Sequence, residues 1–330
     1  MPSPSPSNRA SRAGGDLVSK SQGMHRVLGL ARRAAPTEAT LLVTGESGTG
    51  KERLARFIHE HSPRHQGPLV AINCGALPEQ LLESELFGHK KGAFTGASTD
   101  HKGLLQAAAG GTLFLDEIGE TSPSVQVRLL RALQERTVRP VGSTADVPVD
   151  VRIVAATNQD LEALVQEKKF RKDLYYRLRV VPLEIPPLRD RREDVLPLAR
   201  EFISRTCKEN ACGPCSLSSE VLDYLIAYNW PGNVRELENA IERAVILAED
   251  QPTVRVQDLP PEIRGQTGRA TDSRRVATLA EVEKRHILET LERLGDNRKE
   301  TAKVLGIAEN TLWRKLKSYG RVRQRGTNEK

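Results

Sequence analysis

The sequence has few cysteines, few aromatic residues and no long apolar run. Its 330 residues include four cysteines, and 4% of them are aromatic. So few cysteines are typical of a reducing compartment, and we expect a cytoplasmic protein. No apolar segment reaches the roughly 18 residues that a membrane-spanning helix needs, so we expect no membrane partner.

The N-terminal segment MPSPSPSNRASRAGG lacks the apolar middle part of a secretory signal. Its serine and proline content is typical of disorder. We therefore expect residues 1–14 to form a disordered leader.

Three of the four cysteines, Cys207, Cys212 and Cys215, cluster in the segment CKENACGPC. A CxxC spacing with a third cysteine nearby can hold zinc, but the neighbourhood offers no fourth ligand. We interpret the segment as a loop between two helices, and a metal or redox role is the alternative.

The positive charge of the chain is confined to its C-terminal end. Residues 1–267 contain 34 basic and 34 acidic residues, whereas residues 268–330 contain 16 basic and 9 acidic residues. The net charge of +7 therefore lies entirely in the second segment. A basic block at one end predicts a separate module that meets a polyanion, and a solvated basic tail is the alternative.

Short apolar segments alternate with longer segments of helical spacing through the first half of the chain. Helices are predicted at 21–35 and after Lys51. Buried strands are predicted at 40–44, 69–72, 112–116, 151–156 and 180–185. This alternation predicts an α/β fold with a parallel sheet, in which ligands bind where the strands end.

The pair Pro186-Pro187 ends the alternating pattern. Residues 188–250 then have only helical spacing, so we predict a sheet domain at 15–187 and a small helical domain at 188–262. A stretch rich in glycine, serine and threonine predicts a linker at 263–278. The last module is predicted at 279–330.

The segment GESGTGKE at 45–52 follows a predicted strand and opens a predicted helix, as a Walker A phosphate-binding loop requires. Its amides would bind phosphate oxygens, and Lys51 would reach the β- and γ-phosphates. A serine or threonine usually follows this lysine to bind the metal, but here Glu52 does, so either the metal is held differently or Glu52 faces away. The predicted nucleotide-binding residues are Gly45, Glu46, Ser47, Gly48, Thr49, Gly50, Lys51 and Glu52.

The predicted strand at 112–116 ends in two carboxylates, Asp116 and Glu117. Beside a phosphate-binding loop, the first typically holds Mg²⁺ through water, and the second can orient and deprotonate the attacking water. Asn158 would lie beside the γ-phosphate, and Asn73 could hydrogen-bond Glu117. The alternatives are a pair of solvated acids and two helix-capping asparagines.

Nucleotide hydrolysis usually needs a cation beside the departing charge. The candidates are Arg171 and Arg177 in the segment FRKDLYYR, and Arg235 in WPGNVREL near a helix start. The alternative for each is a surface ion pair, the commoner role of a single arginine.

The hexapeptide GAFTGA at 92–97 lies between the phosphate-binding loop and the acidic strand end. Gly92 and Gly96 free the backbone on both sides of the tip. Phe94 has no helical or strand period around it, and an exposed aromatic in a loop indicates a binding partner. The alternative is a surface loop whose Phe94 folds back onto the core.

The segment 288–320 has the spacing of a helix-turn-helix, with helices predicted at 299–305 and 309–319 on either side of Gly306. The last helix exposes residues that can contact phosphates or read guanine edges. These candidate DNA-binding residues are Asn310, Thr311, Arg314, Lys315 and Lys317. The alternative is a helical bundle used only for dimerisation.

Together these motifs resemble the AAA+ ATPase domain of bacterial enhancer-binding proteins, the activators of sigma-54 RNA polymerase. The resemblance covers about residues 15–262, and the hexapeptide GAFTGA is close to diagnostic. The matching segments, in the family's order, are GESGTGKE at 45–52, ELFGHKKGAFTGA at 85–97, GGTLFLDEIGE at 110–120, ATN at 156–158, FRKDLYYRL at 170–178 and WPGNVREL at 230–237. The C-terminal segment resembles the Fis-type DNA-binding domain that is usual in this family.

The resemblance implies a role for each matching residue of the nucleotide site. Lys51 binds phosphate, Asp116 holds Mg²⁺ and Glu117 is the catalytic carboxylate. Asn73 is similar to the glutamate-switch asparagine of the family, and Asn158 to its first sensor residue. The family also looks to have a glutamate where Glu52 follows the Walker A lysine.

The resemblance also implies roles outside the phosphate-binding loop. Arg171 and Arg177 resemble arginine fingers that reach the nucleotide of a neighbouring subunit, and Arg235 matches the second sensor. A second loop near 136–148 resembles the insertion that moves with the first. The residues implied to contact the sigma factor are Gly92, Ala93, Phe94, Thr95, Gly96 and Ala97.

The resemblance implies an ATP-hydrolysing transcription activator with ATP and Mg²⁺ as cofactors. It would bind upstream enhancer DNA, assemble with its own copies from a dimer into a hexameric ring, and remodel the closed complex of sigma-54 RNA polymerase. One alternative is another AAA+ remodeller, whose substrate loop would lack GAFTGA. The other is a DNA-binding regulator that uses the ATPase core as an oligomerisation scaffold and would tolerate loss of Glu117.

Few residues precede the predicted ATPase domain. We therefore expect no N-terminal regulatory domain, and either a separate regulatory protein acting in trans, constitutive action or a truncated chain.

Overall fold

The computed structural model describes most of the chain as two compact units, divided after Ile263. The described residues are 17–94, 97–210, 213–248, 251–266 and, except for 285, 289, 292, 293 and 296, residues 283–319.

The first unit contains the predicted parallel sheet. Its strands are β1 Leu41–Thr44, β2 Leu69–Asn73, β3 Thr112–Asp116, β4 Thr137–Val138, β5 Val147–Pro148, β6 Arg152–Thr157, β7 Val181–Glu184, β8 Ser216–Leu217 and β9 Thr253–Val254. Five of them form one sheet in the order β2-β3-β6-β1-β7, and every neighbouring pair is parallel. The α/β fold and the five predicted strands are confirmed, with each strand end within one residue of its predicted position.

The helices surround this sheet and form the smaller domains. Those with defined bounds are α1 Gln22–Ala34, α2 Lys51–Glu60, α3 Glu79–Phe87, α4 Leu104–Ala107, α5 Pro123–Glu135, α6 Leu161–Gln166, α7 Lys172–Leu178, α8 Val195–Glu209, α9 Ser219–Ala227, α10 Asn233–Leu247, α11 Pro261–Gln266, α12 Arg298–Val304 and α13 Glu309–Ser318.

Side chains alternate between the two faces of the sheet and build a core on each. On β1, Leu42 joins a buried cluster with Leu129 of α5 on one face. Leu41 and Val43 join a second cluster with Phe57 of α2 on the other face. Because helices cover both faces, the strands are apolar throughout, which is typical of a parallel sheet.

Helices α8, α9 and α10 form a small helical domain with a core of its own. Trp230, at its centre, is fully buried and donates its indole N–H to Leu225 O at 2.9 Å. Phe202 and Ile241 belong to the same buried cluster.

The prediction that residues 188–250 contain only helices is wrong at β8. Ser216 and Leu217 pair in parallel with Thr253 and Val254 of β9. A two-residue strand has too few residues to show a period, and its partner lies beyond α9 and α10 in the sequence. The pairing is therefore visible only in the folded chain. The helical structure continues through α11 to Gln266, and residues 267–282, which hold most of the predicted linker, lie outside the described residues.

In the second unit, α12 and α13 confirm the predicted helix-turn-helix. They are joined at Gly306, as predicted. The unit has a small core to which Ile287, Leu291, Ala302, Leu312 and Leu316 contribute.

Neither a membrane helix nor a metal-binding cluster is seen in the described part of the chain. There, no helix is long and apolar enough to cross a membrane, and no three His, Cys, Asp or Glu side chains are grouped to hold a metal ion. Cys207 is buried in α8 and Cys215 lies just before β8, whereas Cys212 lies outside the described residues.

Candidate nucleotide site

Four polar strand ends meet at the carboxyl edge of the sheet. Because β2, β3, β6 and β1 are parallel neighbours, the residues that follow them lie side by side. β1 leads into the loop 45–50, β2 ends at Asn73, β3 ends at Asp116 and β6 ends at Thr157. The sheet thus brings together predicted site residues that are far apart in sequence.

A cavity of about 310 Å³ opens at this edge, a volume sufficient for a small ligand. Among its lining residues are nine of those predicted from the sequence: Ser47, Gly48, Gly50, Lys51, Glu52, Asn73, Asp116, Glu117 and Arg235.

Lys51 is a buried cation at the start of α2. Its side chain is only 6% exposed, and Nζ donates to Gly45 O at 3.0 Å. Nζ also lies 3.6 Å from Glu117 Oε1. The N-terminus of α2 adds positive potential at the same place, so this end of the cavity is suited to phosphate oxygens.

Glu117 is held in an uncommon backbone conformation beside Lys51. Its φ of 51° is in the left-handed region, which residues with long side chains rarely adopt, and such strain is concentrated at functional sites. Its amide donates to Asp116 Oδ1 at 3.0 Å, and its Oε2 accepts from the Asn158 amide at 3.3 Å. The carboxylate is thereby directed toward the cavity.

Burial, followed by the charge of Glu117, raises the pKa of Asp116. A divalent cation at the two carboxylates would offset both effects. The donor set of the cavity, carboxylate and amide oxygens, is the one that Mg²⁺ prefers, so these residues fit that ion.

The two predicted asparagines are placed at the site, but their amide groups are used differently from the prediction. Asn73 Oδ1 accepts from the Gly75 amide at 2.9 Å, and within the described residues no hydrogen bond joins Asn73 to Glu117. Asn158 contacts Glu117 through its backbone amide. The prediction that Asn73 governs the orientation of Glu117 stays a prediction.

Glu52 lines the cavity, but its side chain is 67% exposed and lies 3.9 Å from Arg56, one turn along α2. This exposure favours, of the two possibilities raised by the sequence, the one in which Glu52 faces away from the metal. Arg235, at the start of α10, lines the cavity from the helical domain.

Arg171 and Arg177 lie away from this cavity and are not among its described lining residues. Arg171 forms a 2.6 Å ion pair with Asp173 on the surface. Arg177 donates to Leu133 O, near the end of α5, at 3.1 Å. Neither arginine lines the nucleotide cavity of its own chain.

The first and last residues of the hexapeptide at 92–97 are tied together. The Gly92 amide donates to Ala97 O at 2.8 Å, which closes the loop. Phe94 is 37% exposed, and its ring packs in a T-shaped arrangement with the His89 ring at a centroid distance of 4.9 Å. The aromatic is thus supported from one side and open on the other, while Thr95 and Gly96 lie outside the described residues.

The second predicted loop lies directly against the base of the first. The Lys90 amide donates to Val141 O at 2.9 Å, and the Val141 amide donates to Gly88 O at 2.8 Å. A Cβ atom on Gly142 would come within 2.7 Å of Ala93 Cβ. The two loops therefore share hydrogen bonds and a close contact, and the implied joint movement stays a prediction.

Family models match nearly the whole described part of the chain. The model of the AAA+ ATPase lid domain matches residues 189–276, and that of the bacterial regulatory proteins of the Fis family matches residues 278–319. The model of the sigma-54 interaction domain matches residues 17–184, more than half of the chain. The chain belongs to the sigma-54 activator family.

Curated relatives support the same assignment over nearly the full chain. The transcriptional regulatory protein ZraR of Escherichia coli K12 is 51% identical over 300 residues, which cover 91% of this chain and 68% of ZraR. The regulatory protein AtoC of the same organism is 46% identical over 314 residues, with coverage of 93% and 68%.

Solved structures of NtrX from Brucella abortus resemble the fold. The complex of NtrX with ADP has a TM-score of 0.72 at 35% identity and covers 92% of this chain and 70% of NtrX. The complex with ATP has a TM-score of 0.69 at 36% identity, with coverage of 93% and 69%. This member of the sigma-54 activator family thus combines an AAA+ ATPase domain with a Fis-type DNA-binding helix-turn-helix.

In this sigma-54 activator, the contacts on the exposed face of α13 involve residues beyond the predicted DNA-binding residues. Lys315 Nζ lies 2.7 Å from Glu283 Oε2 and forms an ion pair within the second unit. Trp313, which sequence reasoning missed, is 44% exposed, and Lys317 Nζ lies 5.1 Å from its ring centre. Its spacing could have indicated it, because Trp313 lies three residues after Asn310 and four before Lys317, and residues three or four apart share a helix face.

Proposed function

We propose that this chain hydrolyses ATP and uses the energy to remodel the closed complex of sigma-54 RNA polymerase through its 92–97 loop. The observation that carries the proposal is the 310 Å³ cavity, in which Lys51, Asp116 and Glu117 meet the phosphate-binding loop. The experiment that tests it is a purified transcription assay on a sigma-54 promoter. Open complexes should form with the full chain and ATP, and their formation without ATP would contradict the proposal.

Each residue of the cavity has a defined part in the proposed hydrolysis. Lys51 and the loop amides hold the β- and γ-phosphates. Asp116 would hold Mg²⁺, which would neutralise charge on the phosphates. Glu117 accepts a proton from the water that attacks the γ-phosphorus. As that bond forms, the bond to the β,γ-bridging oxygen breaks, and ADP and phosphate are the products.

The positions of Arg171 and Arg177 are an argument that the chain assembles into a ring. Both lie away from the cavity of their own chain, and a cation is needed beside the departing charge. A neighbouring copy could supply that cation, so an isolated chain has an incomplete site. Repetition of this head-to-tail contact closes a ring, which we propose is a hexamer.

We expect two inactive variants to complement each other when mixed. Arg171→Ala removes the proposed trans cation, and Glu117→Gln removes the base, so each homo-oligomer should be nearly inactive. In an equimolar mixture, about one quarter of the subunit interfaces combine an intact Glu117 with an intact Arg171, and ATPase activity should recover to about that fraction of the wild-type rate. Phosphate release measures the rate.

The control for this mixing experiment is Arg131→Ala. Arg131 forms an exposed ion pair with Glu135 on α5 and should be dispensable for hydrolysis. A mixture no more active than its separate components would show that Arg171 does not act across the interface.

The 92–97 loop is the proposed contact to the sigma factor. Its tip carries Phe94, a half-exposed aromatic, on a base tied to the second loop. Covering such a side chain with a partner lowers the free energy, because apolar surface is removed from water. The tip residues Gly92, Ala93, Phe94, Thr95, Gly96 and Ala97 therefore form the contact in this proposal.

The proposed DNA contacts lie on the exposed face of α13. We expect Arg314→Ala to weaken binding to a duplex selected from a random library by about 10- to 100-fold, because an arginine that reads guanine or binds phosphate contributes 1–3 kcal/mol. Fluorescence anisotropy at two salt concentrations measures the effect. Lys208→Ala, which removes an exposed charge from the helical domain, is the control, and equal losses in the two variants would refute a specific role for Arg314.

A further inference from the structure

The helical domain holds the backbone of the phosphate-binding loop from outside. Three consecutive carbonyl oxygens of the loop accept hydrogen bonds from α10 or from the hinge, which is the segment 185–194 between β7 and α8. The bonds run from Asn233 Nδ2 to Ser47 O (3.0 Å), from the Val234 amide to Gly48 O (2.9 Å) and from Arg191 Nη2 to Thr49 O (2.7 Å). The backbones of the helical domain and the loop are also in direct contact. A Cβ atom on Gly48 would lie 2.3 Å from Gly232 O, so only glycine fits there.

These bonds bear on phosphate binding because of peptide geometry. The C=O and N–H groups of one trans peptide point in opposite directions. Fixing the oxygens of Ser47, Gly48 and Thr49 therefore fixes the directions of the amides that follow them. Amides of this loop are the groups that receive phosphate oxygens in a Walker A loop.

Asn233 connects the loop to the hinge as well. It is fully buried at the first position of α10, in the left-handed region at φ 54°. Its Oδ1 accepts from the Leu188 amide at 2.8 Å, and its Nδ2 donates a second bond to Glu46 Oε2 at 3.1 Å. One side chain thus joins the phosphate-binding loop, the start of the helical domain and the hinge between the two domains.

Glu46 adds an ion pair to this junction between the phosphate-binding loop, the hinge and α10. Arg189 donates to its two carboxylate oxygens at 2.8 and 2.6 Å. The hydrogen bonds from Arg189 and then from Asn233 lower the pKa of Glu46 to about 2. Glu46 therefore remains ionised throughout the physiological pH range.

We propose that Asn233 is a positioning residue for ATP binding, which orients the phosphate-binding amides through Ser47 while it docks the helical domain. The inference rests on the proposed binding of ATP at this loop. It differs from a direct contact such as that expected of Arg235, because Asn233 acts on the nucleotide only through the loop backbone. Since binding linkage is reciprocal, ATP must strengthen the docking of the helical domain by the same factor.

The test is Asn233→Asp in the full chain. The new side chain keeps the acceptor for the Leu188 amide but presents an oxygen, instead of an N–H group, to Ser47 O and to the Glu46 carboxylate. A buried acceptor left without its donor, next to a like charge, should raise the Kd for ATP by about 10- to 100-fold. Affinity for adenosine, which has no phosphate, should not change. Isothermal titration calorimetry with ATP and with adenosine measures both.

The matched control is Asn210→Asp, which makes the same change at an exposed position at the end of α8 in the same domain and should leave the Kd for ATP unchanged. Equal losses for ATP and adenosine in Asn233→Asp, or no loss at all, would overturn the inference. Should that variant fail to fold, Glu46→Gln tests the same junction, because its side chain is 43% exposed and tolerates the change. It should weaken ATP binding and leave adenosine binding unaltered, and unaltered ATP binding would overturn the inference.

The two proposals fail in different ways. A wild-type chain that does not bind ATP would refute the proposed function itself. A wild-type chain that binds ATP, with a variant Asn233→Asp that binds it equally well, would refute only the role of Asn233.

Discussion

Glu117→Gln should abolish most ATP hydrolysis while ATP still binds. Glutamine keeps the size of the side chain but cannot accept the proton of the attacking water, and loss of a general base costs about 10²- to 10⁴-fold in rate. Binding should persist because Lys51 and the loop amides are unchanged, and because the negative charge 3.6 Å from Lys51 is removed. Single-turnover phosphate release measures hydrolysis, and calorimetry measures binding.

Glu120→Gln is the matched control for this change. Glu120 lies three residues further along the same turn, where its Oε1 accepts from Gln159 Nε2 at 2.6 Å. It should hydrolyse ATP at the wild-type rate. Normal turnover in Glu117→Gln would remove Glu117 from the mechanism and would favour a chain that uses its ATPase core only as a scaffold.

Phe94→Ala should uncouple hydrolysis from transcription. The side chain does not line the nucleotide cavity and is open to solvent on one side, so ATPase activity should be unaffected. An aromatic anchor at the centre of a contact contributes about 2 kcal/mol or more, and open-complex formation should therefore fall by at least about 30-fold. The purified transcription assay and phosphate release, run on one preparation, measure the two activities.

Leu81→Ala is the control for loss of an exposed apolar side chain. Leu81 lies on α3 and is 49% exposed, yet it has no place in the proposed contact. Thr95→Ala should behave like Phe94→Ala. Full activation of sigma-54 polymerase by both loop variants would show that the 92–97 loop is not the coupling element.

The strands and the phosphate-binding loop could be predicted because their signals are local. A buried parallel strand must be apolar on both faces, so 112–116 is visible as a short continuous run. The loop at 45–50 is rich in glycine, because its backbone must approach other groups closely. Gly48, which lies against Gly232 O, shows that requirement directly.

The contacts of particular side chains could not be predicted in the same way. The sequence allowed Asn73 to bond Glu117 or to cap a helix, and in the structure its amide oxygen accepts from Gly75, two residues along the same turn. Lys315 stays a predicted DNA contact, and the sequence did not indicate its ion pair with Glu283. In each case the decisive partner is one of several polar groups within reach, and the sequence does not state which one the fold brings closest.

The fold class, the phosphate-binding loop and the acidic strand end could all be predicted from the sequence, because each depends on residues adjacent in the chain. How Asn233 and Arg191 hold the loop backbone, and the contact of the second loop with the base of the first, became evident only in the folded chain. These contacts join segments separated by many residues, through single hydrogen bonds that leave no periodic or compositional trace. Arg171 and Arg177 could be recognised as candidate cations from the sequence, and their distance from the cavity of their own chain became evident only once the sheet was assembled.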